Sequence, residues 1–225
     1  MTVIIILAVL GMIIQGCFIA VEHKEKYVAA DILKGLAALM FVCIGLISYL
    51  KVTNDALGLK IVIGLIFGMV GDILLNLRFV LKENGQKAFL AGILAFLIGH
   101  VLYLMALIPL SSTFVIDAAI GAVLAAALLI YIFKTMDVKL AFKIFGVFYL
   151  GAVIIMTVIA AHLAIATGNV HDIVYAVGAV LFMASDIVLI FNTFSGTTKF
   201  SLRITNLSLY YIGQLLIAGS LFVIR

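Results

Sequence analysis

Two aspartates lie within apolar segments, where an ionised side chain is costly. Asp72 lies in IGLIFGMVGDILLNL (63–77) and Asp186 lies in VGAVLFMASDIVLIF (177–191). An ionised carboxylate in the hydrocarbon of a bilayer costs roughly 2.5–3.5 kcal/mol on insertion scales, so intramembrane carboxylates mark functional sites. Two of them in similar local sequence therefore indicate a polar site buried in a membrane protein. We take this pair as the centre of the candidate site.

Five more polar side chains at comparable depth are candidates for binding a substrate or supporting the aspartates. His100 and Tyr103 lie about one helical turn apart and share a helix face, and Tyr210 and Gln214 form a second such pair. Lys34 enters the second apolar segment from its charged end, where it can extend to the interface or pair with a carboxylate. Alternatively, His100 is a packed, hydrogen-bonded residue, and Tyr210 and Gln214 form hydrogen bonds that tie helices together. The sequence leaves these interpretations open.

The composition is that of an integral membrane protein. The mean hydropathy is +1.40, 67% of the residues are hydrophobic and only 11% are charged, which excludes an ordinary soluble domain. Since about 20 apolar residues cross a bilayer, the chain predicts an all-α, polytopic helix bundle of about eight transmembrane helices, forming a single transmembrane domain over 1–225. The predicted spans are 3–21, 33–50, 57–77, 86–109, 114–133, 141–166, 170–194 and 202–223. The first segment has no basic region before it and no cleavage site, so it is interpreted as a span.

The distribution of lysine and arginine predicts the orientation. Eleven of the 14 such residues fall in or beside the connections 22–34, 78–87, 134–143 and 195–203, which eight spans place on one side. Lys51, Lys60 and Arg225 belong to the other side. By the positive-inside rule, the first side is cytoplasmic and both termini are extracytoplasmic. The net charge of +4 follows from this bias, and no basic stripe with exposed aromatic residues indicates nucleic acid as a partner.

A weak internal repeat relates the two aspartates. A shift of 114 residues places Asp72 on Asp186 and Gly64 on Gly178. The two copies lie four spans apart, so their helices run in the same direction and a parallel 4+4 repeat is possible. Helix pairing could then bring the carboxylates together at one depth. Gly64, Gly68 and Gly71 are spaced for close contact with another helix.

Several familiar chemistries have no motif in this chain. The sequence contains no GxSxG, no HExxH and no phosphate-binding GxxxxGK[ST]. His162 and His171-Asp172 are expected on the side opposite the aspartates, so no metal site and no cofactor are predicted. A metal bridging Asp72 and Asp186 would have no dedicated motif behind it.

Four motifs in order resemble the YhhN family, the bacterial relatives of animal lysoplasmalogenases. They are GDILLN (71–76), GHVLYL (99–104), GAVLFMASDIVLIFNTF (178–194) and YYIGQLLIA (210–218). The resemblance covers the chain from Lys34 onward, although Lys34 is followed by Gly35 where the family usually has Lys-Pro. It implies an eight-span protein of a bacterial-type inner membrane. The implied activity is hydrolysis of the vinyl ether bond of a lysoplasmalogen, giving a fatty aldehyde and glycerophosphoethanolamine or glycerophosphocholine.

This activity suits a pair of buried carboxylates. Vinyl ether hydrolysis needs a proton donor for the β-carbon and a negative charge beside the oxocarbenium ion, much as glycoside hydrolysis does. The sequence therefore predicts Asp72 and Asp186 as catalytic residues and a lysophospholipid as substrate, drawn from the surrounding membrane lipid. It does not assign the two roles or the oligomeric state. The alternatives are a small proton- or cation-coupled transporter and a non-catalytic lipid-binding membrane protein.

Overall fold

The computed structural model describes residues 1–223, which form eight long α-helices without a strand among them. The helices are α1 (Thr2–His23), α2 (Tyr27–Ser48), α3 (Ala56–Leu77), α4 (Gly85–Leu107), α5 (Phe114–Thr135), α6 (Leu140–Thr167), α7 (Val170–Phe194) and α8 (Phe200–Ser220). A π-helical turn (Tyr49–Thr53) extends α2, and two 3-10 turns (Lys82–Asn84 and Ile108–Leu110) flank α4. The predicted all-α bundle of eight helices is confirmed.

Helix ends follow local signals in the sequence. The Asp55 carboxylate accepts a hydrogen bond of 2.6 Å from the backbone N–H of Gly58, which caps the start of α3. Gly168 ends α6 with a φ of +64°, a left-handed conformation that glycine adopts without strain. The predicted start of the second span at residue 33 is wrong by six residues, because α2 begins at Tyr27. Because α2 begins at Tyr27, Asp31 and Lys34 lie on a helix and not in a loop. Ala30, beside them, is fully buried.

Seven of the eight helices, α1 to α7, are long and apolar enough to cross a membrane. The exception in the described part of the chain is α8, which carries several polar side chains in the segment FSLRITNLSLYYIGQ. Some of these side chains face other helices, since Asn206 donates to the carbonyl of Ser185 (2.9 Å) and Tyr211 donates to that of Ala37 (2.8 Å). The polarity of α8 therefore reflects its place inside the bundle.

The helices form two halves with matching contacts. Within each half, α1–α4 or α5–α8, every helix packs against the next one in sequence. Between the halves, α4 packs against α6 and α2 packs against α8. Exchanging the halves converts one of these contacts into the other, as expected for a parallel 4+4 repeat.

Glycine pairs hold the equivalent helices together in each half. A Cβ at Gly99 would lie 3.0 Å from the carbonyl oxygen of Gly64, so α3 and α4 approach at backbone distance. In the second half, a Cβ at Gly213 would lie 2.8 Å from the carbonyl oxygen of Gly178. The shift of 114 residues relates both members of the two pairs. Because lipid gives little hydrophobic drive to helix association, such close packing is a main source of stability.

Cysteine labelling tests the predicted orientation. In a Cys17→Ser, Cys43→Ser background, cysteines at Lys82 and Lys199 should resist an impermeant thiol reagent in intact cells, because both positions lie on the predicted cytoplasmic side. The side chains at all three positions are exposed in the structure. Lys51 lies on the opposite predicted side and is the control that should be labelled. Labelling at 82 and 199 with protection at 51 would reverse the orientation. Arg225 and the end of the chain lie outside the described residues.

Candidate functional site

Asp72 is held by side chains from two other helices. The carboxyl group lies on α3 and is 2% exposed. The ammonium group of Lys34 on α2 lies 3.1 Å from Oδ1, and the hydroxyl of Tyr210 on α8 donates to Oδ2 at 2.7 Å. The side chain of Lys34 is itself buried, and its ammonium group lies 5.1 Å from the centroid of the Phe18 ring. Asp72 is therefore one partner of a buried ion pair.

Asp186 has a different environment. It lies on α7 and is 4% exposed, and its Oδ2 accepts a hydrogen bond of 2.6 Å from the hydroxyl of Tyr149 on α6. Among the described residues, no lysine, arginine or histidine lies within ion-pair distance of this carboxyl group. Tyr149 was not predicted as a site residue. The internal repeat could have indicated Tyr149. A shift of 114 residues places Gly35 on Tyr149, and Gly35 is the neighbour of Lys34.

Both aspartates line one cavity. Lys34, Tyr149 and Tyr210 line it as well, so the ion pair and both hydroxyl donors face a common space. The ring of Phe96 lies between the two tyrosines, with centroid distances of 6.3 Å to Tyr149 and 6.0 Å to Tyr210. This agrees with the expectation that helix pairing brings the two carboxylates to one site.

An apolar arm of the cavity extends between α4 and the helices of the second half. The arm lies among α4, α5, α6 and α7 and is lined mainly by hydrophobic side chains: Phe89, Ile93, Leu129, Ile132, Phe133, Val138, Phe142, Leu150, Leu189, Ile190 and Phe194. The shift of 114 residues places Gln15 on Leu129 and Phe18 on Ile132. Leu129 and Ile132 line the cavity, whereas the equivalent side chains Gln15 and Phe18 do not line it and are buried, with exposures of 6% and 0%.

Two arginines and two asparagines complete the lining where α3 and α8 meet the loops. These residues are Asn76, Arg78, Arg203 and Asn206. Arg203 donates two hydrogen bonds to the carboxylate of Glu22, at 2.7 and 3.0 Å. Burial lowers the pKa of Arg78 to about 10, which still leaves the guanidinium charged at neutral pH. The sequence interpretation counted both arginines and Lys34 as orientation charges, but all three face the cavity.

The remaining predicted residues form a layer behind the cavity wall. Tyr103 donates to Oε1 of Gln214 (3.4 Å), and Nε2 of Gln214 donates to the hydroxyl of Tyr210 (3.5 Å). His100 does not line the cavity, and its Nδ1 lies 2.8 Å from the carbonyl oxygen of Phe96, to which it donates. Its Nε2 has no hydrogen-bond partner within the described part of the chain. These three residues therefore support Tyr210 and the aromatic rings and do not contact the cavity directly.

Three glycines of α3 make room for these side chains. A Cβ at Gly68 would lie 3.0 Å from Nε2 of Gln214, and one at Gly71 would lie 2.6 Å from the ring of Phe96. A Cβ at Gly64 would collide with the ring of Tyr103. The predicted close contacts along this face of α3 are confirmed, and they admit the side chains that support the site.

Other histidines lie away from the cavity. His162 Nδ1 lies 2.8 Å from Oδ1 of Asp117, and His171 Nδ1 lies 3.0 Å from Oδ1 of Asp172. Neither pair belongs to the cavity lining. Within residues 1–223, no cluster of three or more His, Cys, Asp or Glu side chains is arranged to hold a metal ion.

Comparison with known sequences agrees with these observations. The sequence model of the YhhN family matches residues 32–221. The chain belongs to the YhhN family. Both aspartates, Lys34 and the two tyrosines that donate to the carboxylates lie within the matched region, whereas Glu22 precedes it. No curated protein and no solved structure matches the chain significantly.

The buried ion pair predicts a strong effect on stability. Lys34→Met leaves the Asp72 carboxylate buried without its cation, so the free energy of unfolding should fall by about 3–5 kcal/mol. The loss of unfolding free energy in the double variant Lys34→Met, Asp72→Asn should be smaller than the sum of the losses in the two single variants. Equilibrium unfolding in detergent measures the difference. Lys87→Met removes an exposed lysine and is the control, with an expected effect within about 0.5 kcal/mol. Additive losses in the double variant would show that the two side chains do not interact.

Proposed function

We propose that this YhhN-family protein is a membrane ether hydrolase that cleaves the vinyl ether bond of lysoplasmalogens. The observation that carries the proposal is the pair of buried carboxyl groups that face one cavity in unlike environments. Asp72 is paired with Lys34, whereas Asp186 has a hydroxyl partner and no cation of residues 1–223 within ion-pair distance. The family membership supports the proposal, because the resemblance implies this activity.

The unlike environments suggest different roles for the two carboxyl groups. A buried carboxyl group without a cation is favoured in its neutral form, whereas an ammonium partner favours the ionised form. We assign Asp186 as the proton donor and Asp72 as the ionised group. The same division of labour between a protonated and an ionised carboxyl group operates in glycoside hydrolysis.

The reaction then balances with these two groups and one water molecule. Asp186 transfers its proton to the β-carbon of the vinyl ether, which leaves an oxocarbenium ion and the Asp186 carboxylate. Water adds to the oxocarbenium carbon and gives a proton back to Asp186, forming a hemiacetal. The hemiacetal separates into a fatty aldehyde and the glycerophospholipid alcohol. Asp72 and the faces of neighbouring aromatic rings stabilise the cation.

The apolar arm suits the single hydrocarbon chain of a lysolipid. Its side chains are mainly aliphatic and aromatic, and it begins at the cavity that the aspartates share. A chain bound in this arm would place its first carbons, which carry the vinyl ether, beside Asp186. The headgroup would then lie toward Arg78 and Arg203.

Aldehyde release from purified protein tests the activity, and Asp186→Asn tests the mechanism. An amide cannot donate the required proton, so the turnover of this variant should fall about 10²–10⁴-fold or more. In D₂O, the wild-type product should carry one deuterium on the carbon next to the aldehyde, detected after rapid trapping as an oxime. Asp72→Asn should also abolish turnover, but it leaves Lys34 without its counter-ion, so Asp186→Asn is the cleaner variant.

Asp137→Asn is the matched control, because Asp137 is exposed in the loop between α5 and α6. It should keep wild-type turnover. Near-normal turnover in both Asp72→Asn and Asp186→Asn at saturating substrate would refute the two-carboxylate mechanism. Proton or cation movement in liposomes without aldehyde release would favour the transporter alternative. Lipid binding with neither activity would favour a lipid-binding protein.

A second variant tests whether the hydrocarbon chain occupies the apolar arm. Gly146 lines the cavity on α6, and a Cβ built there would have no atom within 4 Å, so Gly146→Phe should fold and fill the arm. Displacing two or more methylene groups should lower kcat/KM for an 18-carbon substrate about tenfold, since each buried CH₂ contributes about 0.8 kcal/mol. An 8-carbon substrate should be affected little.

Gly151→Phe is the matched control for this experiment. Gly151 is also on α6 and also has open space at its Cβ, but it does not line the cavity. This variant should have the wild-type kcat/KM for both the 18-carbon and the 8-carbon substrate. An equal loss for both chain lengths in Gly146→Phe would contradict a tail-binding arm.

A further inference from the structure

Arg78 differs from the other two cations of the cavity, because among the described residues Glu22 acts on it only from beyond ion-pair distance. Lys34 is paired with Asp72, and Arg203 is paired with Glu22. No described carboxylate lies within ion-pair distance of Arg78, and its buried Nε has no hydrogen-bond partner among the residues that the structure describes. The guanidinium therefore has at least one buried donor without an acceptor, which is unfavourable, and an anion bound to this group would offset that cost.

Two aromatic rings hold the guanidinium in place. Its central carbon lies 4.5 Å from the ring centroid of Phe79 and 4.4 Å from that of Phe89. Such cation–π contacts leave the edge of the planar guanidinium free for hydrogen bonds. Because Arg78 and Phe89 both line the cavity, the guanidinium borders the space that a ligand would occupy.

The position of Arg78 matches the length of the proposed substrate. Arg78 follows Asp72 by six residues, which is about 9 Å along a helix. In a lysoplasmalogen, seven bonds separate the β-carbon of the vinyl ether from the phosphorus atom. At roughly 1.2 Å per bond in an extended chain, this separation is about 8 Å. A phosphate bound at Arg78 would therefore leave the ether at the depth of the aspartates.

We propose that Arg78 binds the phosphate group of a lipid headgroup and thereby sets the depth at which the lipid is held. Guanidinium groups bind phosphate through two parallel N–H···O hydrogen bonds, which fix orientation as well as position. The protein should therefore discriminate lipids that carry a phosphate from neutral lipids with the same chain. Binding of the phosphate does not depend on hydrolysis, whereas the depth argument rests on the proposed function.

Binding of a lipid that cannot be hydrolysed tests the proposal. The probes are lysophosphatidylcholine, a monoacylglycerol of equal chain length and inorganic phosphate, each titrated into the full-length protein in an uncharged detergent. Arg78→Gln should weaken binding of lysophosphatidylcholine about tenfold or more, as expected for the loss of hydrogen bonds to a charged group. Its affinity for the monoacylglycerol should stay unchanged. Lys87→Gln removes an exposed cation from the start of α4 and should bind both lipids as the wild type does.

Each other outcome overturns the proposal. An unchanged affinity of Arg78→Gln for lysophosphatidylcholine would show that Arg78 does not contact the headgroup. Equal losses of affinity for both lipids would show that Arg78 supports the fold of the cavity and does not bind the phosphate. Inorganic phosphate that binds as tightly as the lipid would show a general anion site.

The enzymatic proposal can fail separately. A protein that distinguishes the two lipids through Arg78 but releases no aldehyde from lysoplasmalogen would retain the phosphate subsite and lose the hydrolase function. If aldehyde is released, Arg78→Gln should raise KM for lysoplasmalogen more than it lowers kcat, because the headgroup contact exists in the ground state as well as in the transition state.

Discussion

The ion pair between Lys34 and Asp72 is the constraint on which the arrangement of the cavity depends. Both side chains are buried, so each charge needs a partner, and that partner comes from another helix. Lys34 connects α2 to α3, and the hydroxyl of Tyr210 connects α8 to the same carboxylate. Three helices are thereby fixed around one buried group. The close packing of glycines in α3 is what lets Gln214 and Phe96 approach and hold these helices at that spacing.

The two halves of the bundle share a backbone plan but differ where the chemistry is proposed. The position equivalent to Tyr210 in the first half is Phe96, and the position equivalent to Lys34 in the second half is Phe148. Asp186 consequently lacks the partners that Asp72 has and uses Tyr149 instead. The lining of the cavity differs in the same way, since it includes Leu129 and Ile132 but not their equivalents Gln15 and Phe18. A repeated framework thus provides two carboxyl groups of one type in two electrostatic settings.

Hydropathy and the cost of buried charge were sufficient to predict the helices and the central aspartates. The partners were harder to predict, because they come from helices far apart in sequence. Tyr149 looks like an ordinary aromatic residue of an apolar span, and only its approach to Asp186 distinguishes it. Arg78 and Arg203 look like loop charges, since the positive-inside rule counts residues without regard to the direction of their side chains. Conversely, the pattern that pairs His100 with Tyr103 correctly placed them on one face, with ring centroids 5.5 Å apart. It could not show that neither residue lines the cavity, or that the ring of His100 lies against those of Tyr149 and Phe182.

The polarity of α8 has a consequence for biogenesis. A segment that carries Arg203, Asn206 and Gln214 enters a bilayer unfavourably by itself, because its polar groups find partners only on helices already made. Its close backbone contact with α7, through Gly178 and Gly213, makes insertion of the two as a helical hairpin the favourable route. Until α8 arrives, Asp72 lacks the hydroxyl of Tyr210, so the site is assembled by the insertion of α8 and not before it.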